Sequence, residues 1–248
     1  MDAVGLIPAR YGSTRFPGKA LAPLNGASLV QRVYEQARKA KRLDEVIIAT
    51  DDERIMAAVT TFGGKAVMTS STHRSGTDRL AEVARKLDAQ VVVNIQGDEP
   101  LMRPEQIDQV VEFALAHRAV PITTLRTRLT RPEDAADPNV VKVVVDKDGY
   151  ALYFSRSPIP FIRQQTQDSR LKTHVYWKHL GIYGYQRHFL LQFPHLTPTP
   201  LEQLEQLEQL RALEHGHQIQ VLETPHDTIG VDTPEDLARV ERLLAREE

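Results

Sequence analysis

Val91-Val92-Val93-Asn94-Ile95-Gln96-Gly97-Asp98-Glu99-Pro100 is the stretch that decides the fold. Val91 to Ile95 is a near-continuous apolar run, the pattern of a central parallel strand covered on both faces. Gly97 suggests a tight backbone approach just after it, and Asp98 and Glu99 set carboxylates at its carboxyl end. In open α/β sheets ligands bind at that end. Working outward, short β-branched runs alternate with helical patterns. Val4 to Ile7, Glu45 to Ala49 and Lys65 to Met68 read as strands. Residues 28–40, 52–62 and 76–87 read as helices, the last with Leu80, Val83, Ala84 and Leu87 on one face. Pro104 opens a helix to His117. This order predicts an α/β fold with a mostly parallel central sheet flanked by helices.

The second half is less regular. Val140 to Val145 and Tyr150 to Phe154 flank Asp146-Lys147-Asp148-Gly149, a hairpin signal, so the sheet becomes mixed there. Residues 155–174 read as a loop or lid, and Gly181 to Tyr185 as a short strand. Pro200 to His215 is predicted as a helix ended by Gly216. A strand at 219–222 and a helix from Thr233 to about Ala245 follow. No linker divides the chain, which predicts one domain over 1–248 with an inserted or appended subregion. Within the predicted helix, residues 201–210 read LEQLEQLEQL. A period of three drifts around an α-helix by about 60° per repeat, which fits a helix buried on more than one side with some Glu or Gln side chains turned inward, although for any one of these residues the pattern alone favours a solvated face.

The chain has 248 residues, 41% of them hydrophobic, 26% charged and 6% aromatic, with a formal charge of −2. That is a globular composition, large enough for a core without disulfides or a structural metal. The balanced charge gives no basic surplus for nucleic acid or anionic lipid. Cysteine is absent, which excludes disulfides, thiolate catalysis and cysteine-ligated metals. No apolar stretch approaches the ~20 residues of a membrane span, and the N-terminus lacks the pattern of a signal peptide. The expected location is the cytoplasm.

Three segments carry candidate chemistry. Residues 7–19, IPARYGSTRFPGK, follow the first strand and hold Gly12, Gly18, Arg10, Arg15 and Lys19. Glycines admit backbone N–H groups to a polyphosphate and arginine forks grip its oxygens. The spacing is neither a Walker A loop nor G-x-G-x-x-G, which argues against a nicotinamide-dependent oxidoreductase. In Gln96-Gly97-Asp98-Glu99, Asp98 can hold magnesium, which takes one or two carboxylates plus phosphate oxygens and water. In Gly230-Val231-Asp232-Thr233-Pro234, Asp232 or Thr233 is a helix N-cap signal, and the pattern alone favours the cap over a metal ligand. Ser75 before the third helix reads as a cap, and His179 alone reads as a core histidine.

Taken together, IPARYGSTRFPGK, SGTDRLAEV, VNIQGDEPL, NVVKVVVD, ALYFSRSPIP, KHLGIYGY, LEQLR and GVDTPEDLARV occur in an order that resembles the 3-deoxy-manno-octulosonate cytidylyltransferase (CMP-Kdo synthetase) family over nearly the whole chain. The resemblance implies a nucleotide-diphospho-sugar transferase fold with a smaller antiparallel subregion, at about 125–200, that serves sugar binding and mediates a homodimer. It implies transfer of CMP from CTP to 3-deoxy-D-manno-octulosonate (Kdo) with release of pyrophosphate, in lipopolysaccharide biosynthesis. Cytidylyltransferases for 8-amino-Kdo or a sialic acid are the alternatives within that class. The implied metal is Mg2+, on Asp98 and Asp232. Arg10, Gly12, Ser13, Arg15, Lys19, Ser75 and Gly76 fall at nucleotide-binding positions, with Arg15 and Lys19 catalytic beside the two aspartates. Gln96, Arg156, His179, Tyr183, Glu208 and Gln209 fall around the sugar acid. Anchoring on LEQLR selects Glu208 over Glu205.

Overall fold

β1 (Ala3–Ala9) lies between two parallel neighbours, β4 (Glu45–Thr50) and β6 (Val91–Asn94). The structure, a computed structural model, describes residues 1–12, 16–163 and 176–245. Alternate residues of β1 and β6 feed opposite cores. Ala3, Ile7, Val91 and Val93 are buried on one face, and Val4, Leu6 and Val92 on the other. Both faces being covered explains why these strands read as continuous apolar runs. β4 continues to β5 (Ala66–Met68), again parallel.

On the other side of β6 the direction reverses. β10 (Trp177–Gln186) runs antiparallel both to β6 and to β7 (Ile122–Arg128), and β11 (Ile219–Glu223) runs parallel to β7. The strand order is β11-β7-β10-β6-β1-β4-β5. The expected hairpin pairs β8 (Lys142–Val145) with β9 (Ala151–Ser155), and β8 joins the sheet through β10. Asp146 Oδ1 closes its turn by accepting the N–H groups of Asp148 and Tyr150, both at 2.9 Å. The α/β fold with a mostly parallel central sheet is therefore as the sequence implied.

Helices cover both faces. α1 (Leu29–Ala37) is capped by Ser28 Oγ, which accepts the N–H of Gln31 at 3.3 Å, and buries Leu29, Val30, Val33, Tyr34 and Ala37. α2 (Glu53–Thr61) is capped by Asp52. α3 (Gly76–Arg85) buries Leu80, Val83 and Ala84 as expected, and α4 (Pro104–Ala116) packs on the opposite face.

Several elements differ from the sequence reading. β7 was not foreseen, because ITTLRTR lacks an apolar alternation. Its Thr123, Thr124 and Thr127 are nonetheless buried. β10 begins at Trp177 rather than Gly181. A small hairpin, β2 (Pro23–Leu24) and β3 (Ala27–Ser28), turns on Asn25-Gly26, both with positive φ, as a type I′ turn requires. α5 (Arg187–Gln192) was also unforeseen. The single helix expected over 200–215 is two pieces, α6 (Pro200–Glu205) and α7 (Gln209–Glu214). Gln206 breaks it with φ 53°. A three-residue leucine period cannot stay on one helix face, and the break lets Leu207 and Leu210 both reach the core while Leu204 stays exposed. α8 (Pro234–Leu244) closes the chain.

Candidate functional site

A cleft of about 730 Å³ opens at the carboxyl ends of β1, β4 and β6. The loop after β1 supplies Arg10, Tyr11, Gly12 and Lys19, and β6 supplies Gln96, Gly97 and Asp98. Gly97 is there for close approach. A Cβ at this position would lie 2.8 Å from the carbonyl oxygen of Pro8, so only glycine lets the turn after β6 press against β1. That contact sets Asp98 beside the first loop. The loop is itself closed by the N–H of Gly18, which donates to the carbonyl of Tyr11 at 3.0 Å.

Asp232 arrives from the far end of the chain by two devices. The N–H of Val231 donates to the carbonyl of Asp98 at 2.8 Å. Val231 and Val240 also bury against Leu24 and Leu29, which fixes α8 to the segment after Lys19. The cap of α8 is Thr233, whose Oγ1 accepts the N–H of Asp236 at 3.2 Å, while Asp236 Oδ2 accepts from the N–H groups of Asp232 and Thr233. The cap reading of this segment thus belongs to Thr233 and Asp236. The carboxylate of Asp232 meets the cleft. Lys19 Nζ lies 2.7 Å from Asp98 Oδ2 and 3.2 Å from Asp232 Oδ1. Two carboxylates 134 positions apart in sequence therefore converge on one cation.

The opposite wall is the start of α3. Ser75 Oγ accepts the N–H of Asp78 at 3.1 Å, so Ser75 is a cap as well as a lining residue, and Gly76 lies beside it. His73, Arg74, Arg79 and Asp51 complete this wall. His73, Arg74 and Arg79 carry no role in the sequence reading. Arg79 is buried and donates to Asp51 Oδ2 at 2.7 Å and to Thr69, so its charge is already matched. Arg74 is the cation that reading missed. The signal available was its place in HRSG, immediately before a helix at the carboxyl end of the sheet. Ser13 and Arg15 lie outside the described residues.

Of the expected sugar-binding residues, only Gln96 lines the cleft. The others do not line it. Glu208 accepts from Thr77 Oγ1 in the first turn of α3, and burial pushes its carboxyl above the usual range. No hydrogen-bond donor among the described residues reaches Glu208 Oε1 or Asn94 Oδ1, both buried. Tyr183 lies between His179, tilted to it with ring centroids 5.3 Å apart, and Tyr185, stacked at 5.9 Å, and burial pushes its phenol well up. Burial, helped by Lys178, pushes His179 down to about 3, so the imidazole is neutral. Gln209 is buried. Glu99, flanking Asp98, is pushed up to about 7 by burial and by the neighbouring Asp98 charge.

Arg156 is placed differently from these. Its guanidinium donates to the carbonyls of Glu205, Pro138 and Gln206 at 2.7, 2.8 and 3.3 Å. Its own N–H donates to Glu205 Oε2 at 2.9 Å, and its carbonyl accepts from the buried ammonium of Lys142. In this structure Arg156 ties the turn between α6 and α7 to the loop before β8. Glu205 and Glu208 therefore separate cleanly, Glu205 facing Arg156 and Ser155, Glu208 facing α3.

A family model described as Cytidylyltransferase matches residues 4–219. The 3-deoxy-manno-octulosonate cytidylyltransferase of Geobacter metallireducens is 52% identical over 99% of both chains. That of Geotalea uraniireducens is 54% identical over 98% of this chain and 99% of its own. The chain belongs to the 3-deoxy-manno-octulosonate cytidylyltransferase family. A solved CMP:2-keto-3-deoxy-manno-octonic acid synthetase, complexed with CTP, superposes with a TM-score of 0.93 at 44% identity over the whole of both chains. A 4-diphosphocytidyl-2C-methyl-D-erythritol synthase from Anaerococcus prevotii, 14% identical with a TM-score of 0.62, shares the fold alone. Membership gives the convergence of Lys19, Asp98 and Asp232 its context, since a nucleotidyltransferase must gather charge around a triphosphate.

Proposed function

We propose that this cytidylyltransferase moves CMP from CTP to Kdo, giving CMP-Kdo and pyrophosphate, as a step of lipopolysaccharide biosynthesis in the cytoplasm. The observation that carries this reading is the meeting of Lys19, Asp98 and Asp232 at the mouth of a cleft walled by Arg10 and Arg74. The anomeric hydroxyl of the sugar attacks the α-phosphorus of CTP, and the bond to the β-phosphate oxygen breaks. The nucleotide is highly anionic, so the chain's task is positioning and charge neutralisation. Lys19, with Arg10 and Arg15, steadies the negative charge that builds on the leaving pyrophosphate. Ser75 and Gly76 at the opposite wall take the cytosine.

The implied magnesium fits these residues. Two carboxylates already face one positive charge, and among the described residues no group of three or more acidic or histidine side chains forms a closed cage. A hard cation that keeps waters and substrate phosphate oxygens suits such an open pair. Asp98 and Asp232 would hold it, and when bound it supplies Lewis-acid polarisation of the phosphoryl group. Glu208 Oε1 and Asn94 Oδ1, buried acceptors that no donor among the described residues meets, suit a hydroxyl-rich sugar beyond Gln96. Arg156 remains the candidate for the sugar carboxylate, which requires it to exchange at least one of its carbonyl partners. Leu152 and Phe161, 63% and 86% exposed within the antiparallel subregion, are the kind of apolar surface the proposed homodimer would cover. No helix among the described residues is long and apolar enough to cross a membrane.

Pyrophosphate release from CTP with Kdo, 8-amino-Kdo or a sialic acid as acceptor tests the proposal. We expect the highest kcat/KM with Kdo. A higher value with either of the other two acids would contradict the assignment of substrate.

A further inference from the structure

β10 is interrupted where it passes β7. Leu180 pairs with Leu125, but the next residue of β7, Thr124, pairs with Tyr183, so Gly181 and Ile182 are extra residues in β10. Gly181 sits against the cleft wall, its Cβ position 3.2 Å from Cγ of Gln96. The bulge also turns two carbonyls onto one side chain. Thr124 Oγ1 lies 2.7 Å from the carbonyl oxygen of Ile182 and 3.2 Å from that of Leu180, with Nε2 of His179 on a third side at 3.0 Å. Thr124 is fully buried.

A hydroxyl has one hydrogen to give and two lone pairs to receive. An oxygen–oxygen separation of 2.7 Å is an ordinary O–H···O length. With no hydrogen between them, the same two oxygens would face each other lone pair to lone pair in a buried site. The Thr124 hydrogen therefore goes to the Ile182 carbonyl. Toward His179 the hydroxyl oxygen can then only accept, and Nε2 must donate. A neutral imidazole carries one proton, so Nδ1 is left with its lone pair exposed. Among the described residues, the only side-chain hydrogen bond of His179 is this one to Thr124. Phe154, edge-on at 4.9 Å, and Tyr183, at 5.3 Å, hold the ring plane.

We propose that Thr124 fixes the tautomer of His179 with the proton on Nε2, making Nδ1 an obligate acceptor for a hydroxyl of the sugar acid. Thr124 is a positioning residue for the transfer reaction. The idea rests on His179 bordering the sugar site. An acceptor that cannot donate selects a free hydroxyl at that place and rejects an ether or a keto oxygen, because either would leave two acceptors face to face.

The first measurement needs no substrate. Nitrogen-15 NMR of the histidine rings in the intact protein, with His179 assigned by comparison with His179→Gln, should show Nε2 protonated and Nδ1 bare. A proton on Nδ1 overturns the proposal. The second is kinetic. Thr124→Val keeps the shape and removes the acceptor, so the Kdo KM should rise roughly tenfold, about one neutral hydrogen bond, with the CTP KM unchanged. Thr124→Ser should restore it toward wild type. If His179→Gln raises the Kdo KM and a folded Thr124→Val does not, the role of Thr124 is wrong while the sugar-site reading stands. If neither variant alters it, His179 does not border the sugar and both fail.

Discussion

On the proposed function Lys19 does two things whose removal pulls in opposite directions, and Lys19→Met separates them. The methionine keeps most of the apolar stem and deletes the charge. In the protein the ammonium is bound to Asp98 and Asp232 at 2.7 and 3.2 Å, with the three side chains 16%, 30% and 46% exposed. Partly exposed pairs of this kind contribute about 0.5–1 kcal/mol each after solvent screening. Any other cation that takes up the two carboxylates must first displace that interaction. Deleting it should therefore tighten binding of a divalent ion, without nucleotide, by about 1–2 kcal/mol, or roughly 5- to 30-fold. Turnover should move the other way, down roughly 10²–10³-fold, as when one preorganised charge-stabilising donor is lost. Manganese titration followed by electron paramagnetic resonance reads the first effect, and pyrophosphate release from CTP and Kdo reads the second. Weaker manganese binding by a folded Lys19→Met protein would refute the reasoning, because it would mean that Lys19 does not compete for the carboxylates proposed to hold the metal. Unchanged turnover would place the leaving group elsewhere.

Two further variants test the scaffold. Lys142 is fully buried and its ammonium donates to the carbonyls of Asp137, Val140 and Arg156. Lys142→Met strands three acceptors, so stability should fall by about 3 kcal/mol or more and the melting temperature by about 6–12 °C; a drop under 2 °C would show that the carbonyls find other partners. Gln206 holds φ at 53° between α6 and α7, so Gln206→Val should cost about 1–2 kcal/mol while Gln206→Gly is neutral or slightly stabilising, an order that differential scanning calorimetry checks and that equal losses would refute.

Much of the fold was legible because burial on both sides of a parallel strand leaves an unmistakable apolar run, as in Val91 to Ile95. β7 was not, since three of its buried positions are threonines, and of these the Thr124 hydroxyl is occupied by neighbouring groups. A polar residue can be core when the fold supplies its partners, and the partners of Thr124 come from a bulge that no local pattern announces. The break at Gln206 has a different cause. The period of three in LEQLEQLEQL was visible, along with its drift, but a drifting stripe can be met by burial on several sides or by breaking the helix, and only the packing of Leu207 and Leu210 decides between them. At the site, loop cations and Asp98 could be picked out by position after a strand. Asp232 could not, because Asp-Thr-Pro reads as a cap in either case. The structure divides the roles, giving the cap to Thr233 and Asp236 and the carboxylate of Asp232 to the cleft.

Asp232→Asn is for that reason the most direct test of a single charged centre for CMP transfer. Asparagine keeps the size and shape of the side chain and leaves the Thr233 cap intact, but it removes the charge a hard cation requires. With CTP, Kdo and magnesium at wild-type saturating levels, and folding verified by circular dichroism and thermal melting, we expect CMP-Kdo formation by Asp232→Asn to be nearly abolished, as it should be by Asp98→Asn. Because both carboxylates serve one centre, the double variant should be little worse than either alone. A folded Asp232→Asn protein that forms CMP-Kdo at a near-normal, magnesium-dependent rate would contradict the paired-carboxylate centre and leave Asp98 to act alone.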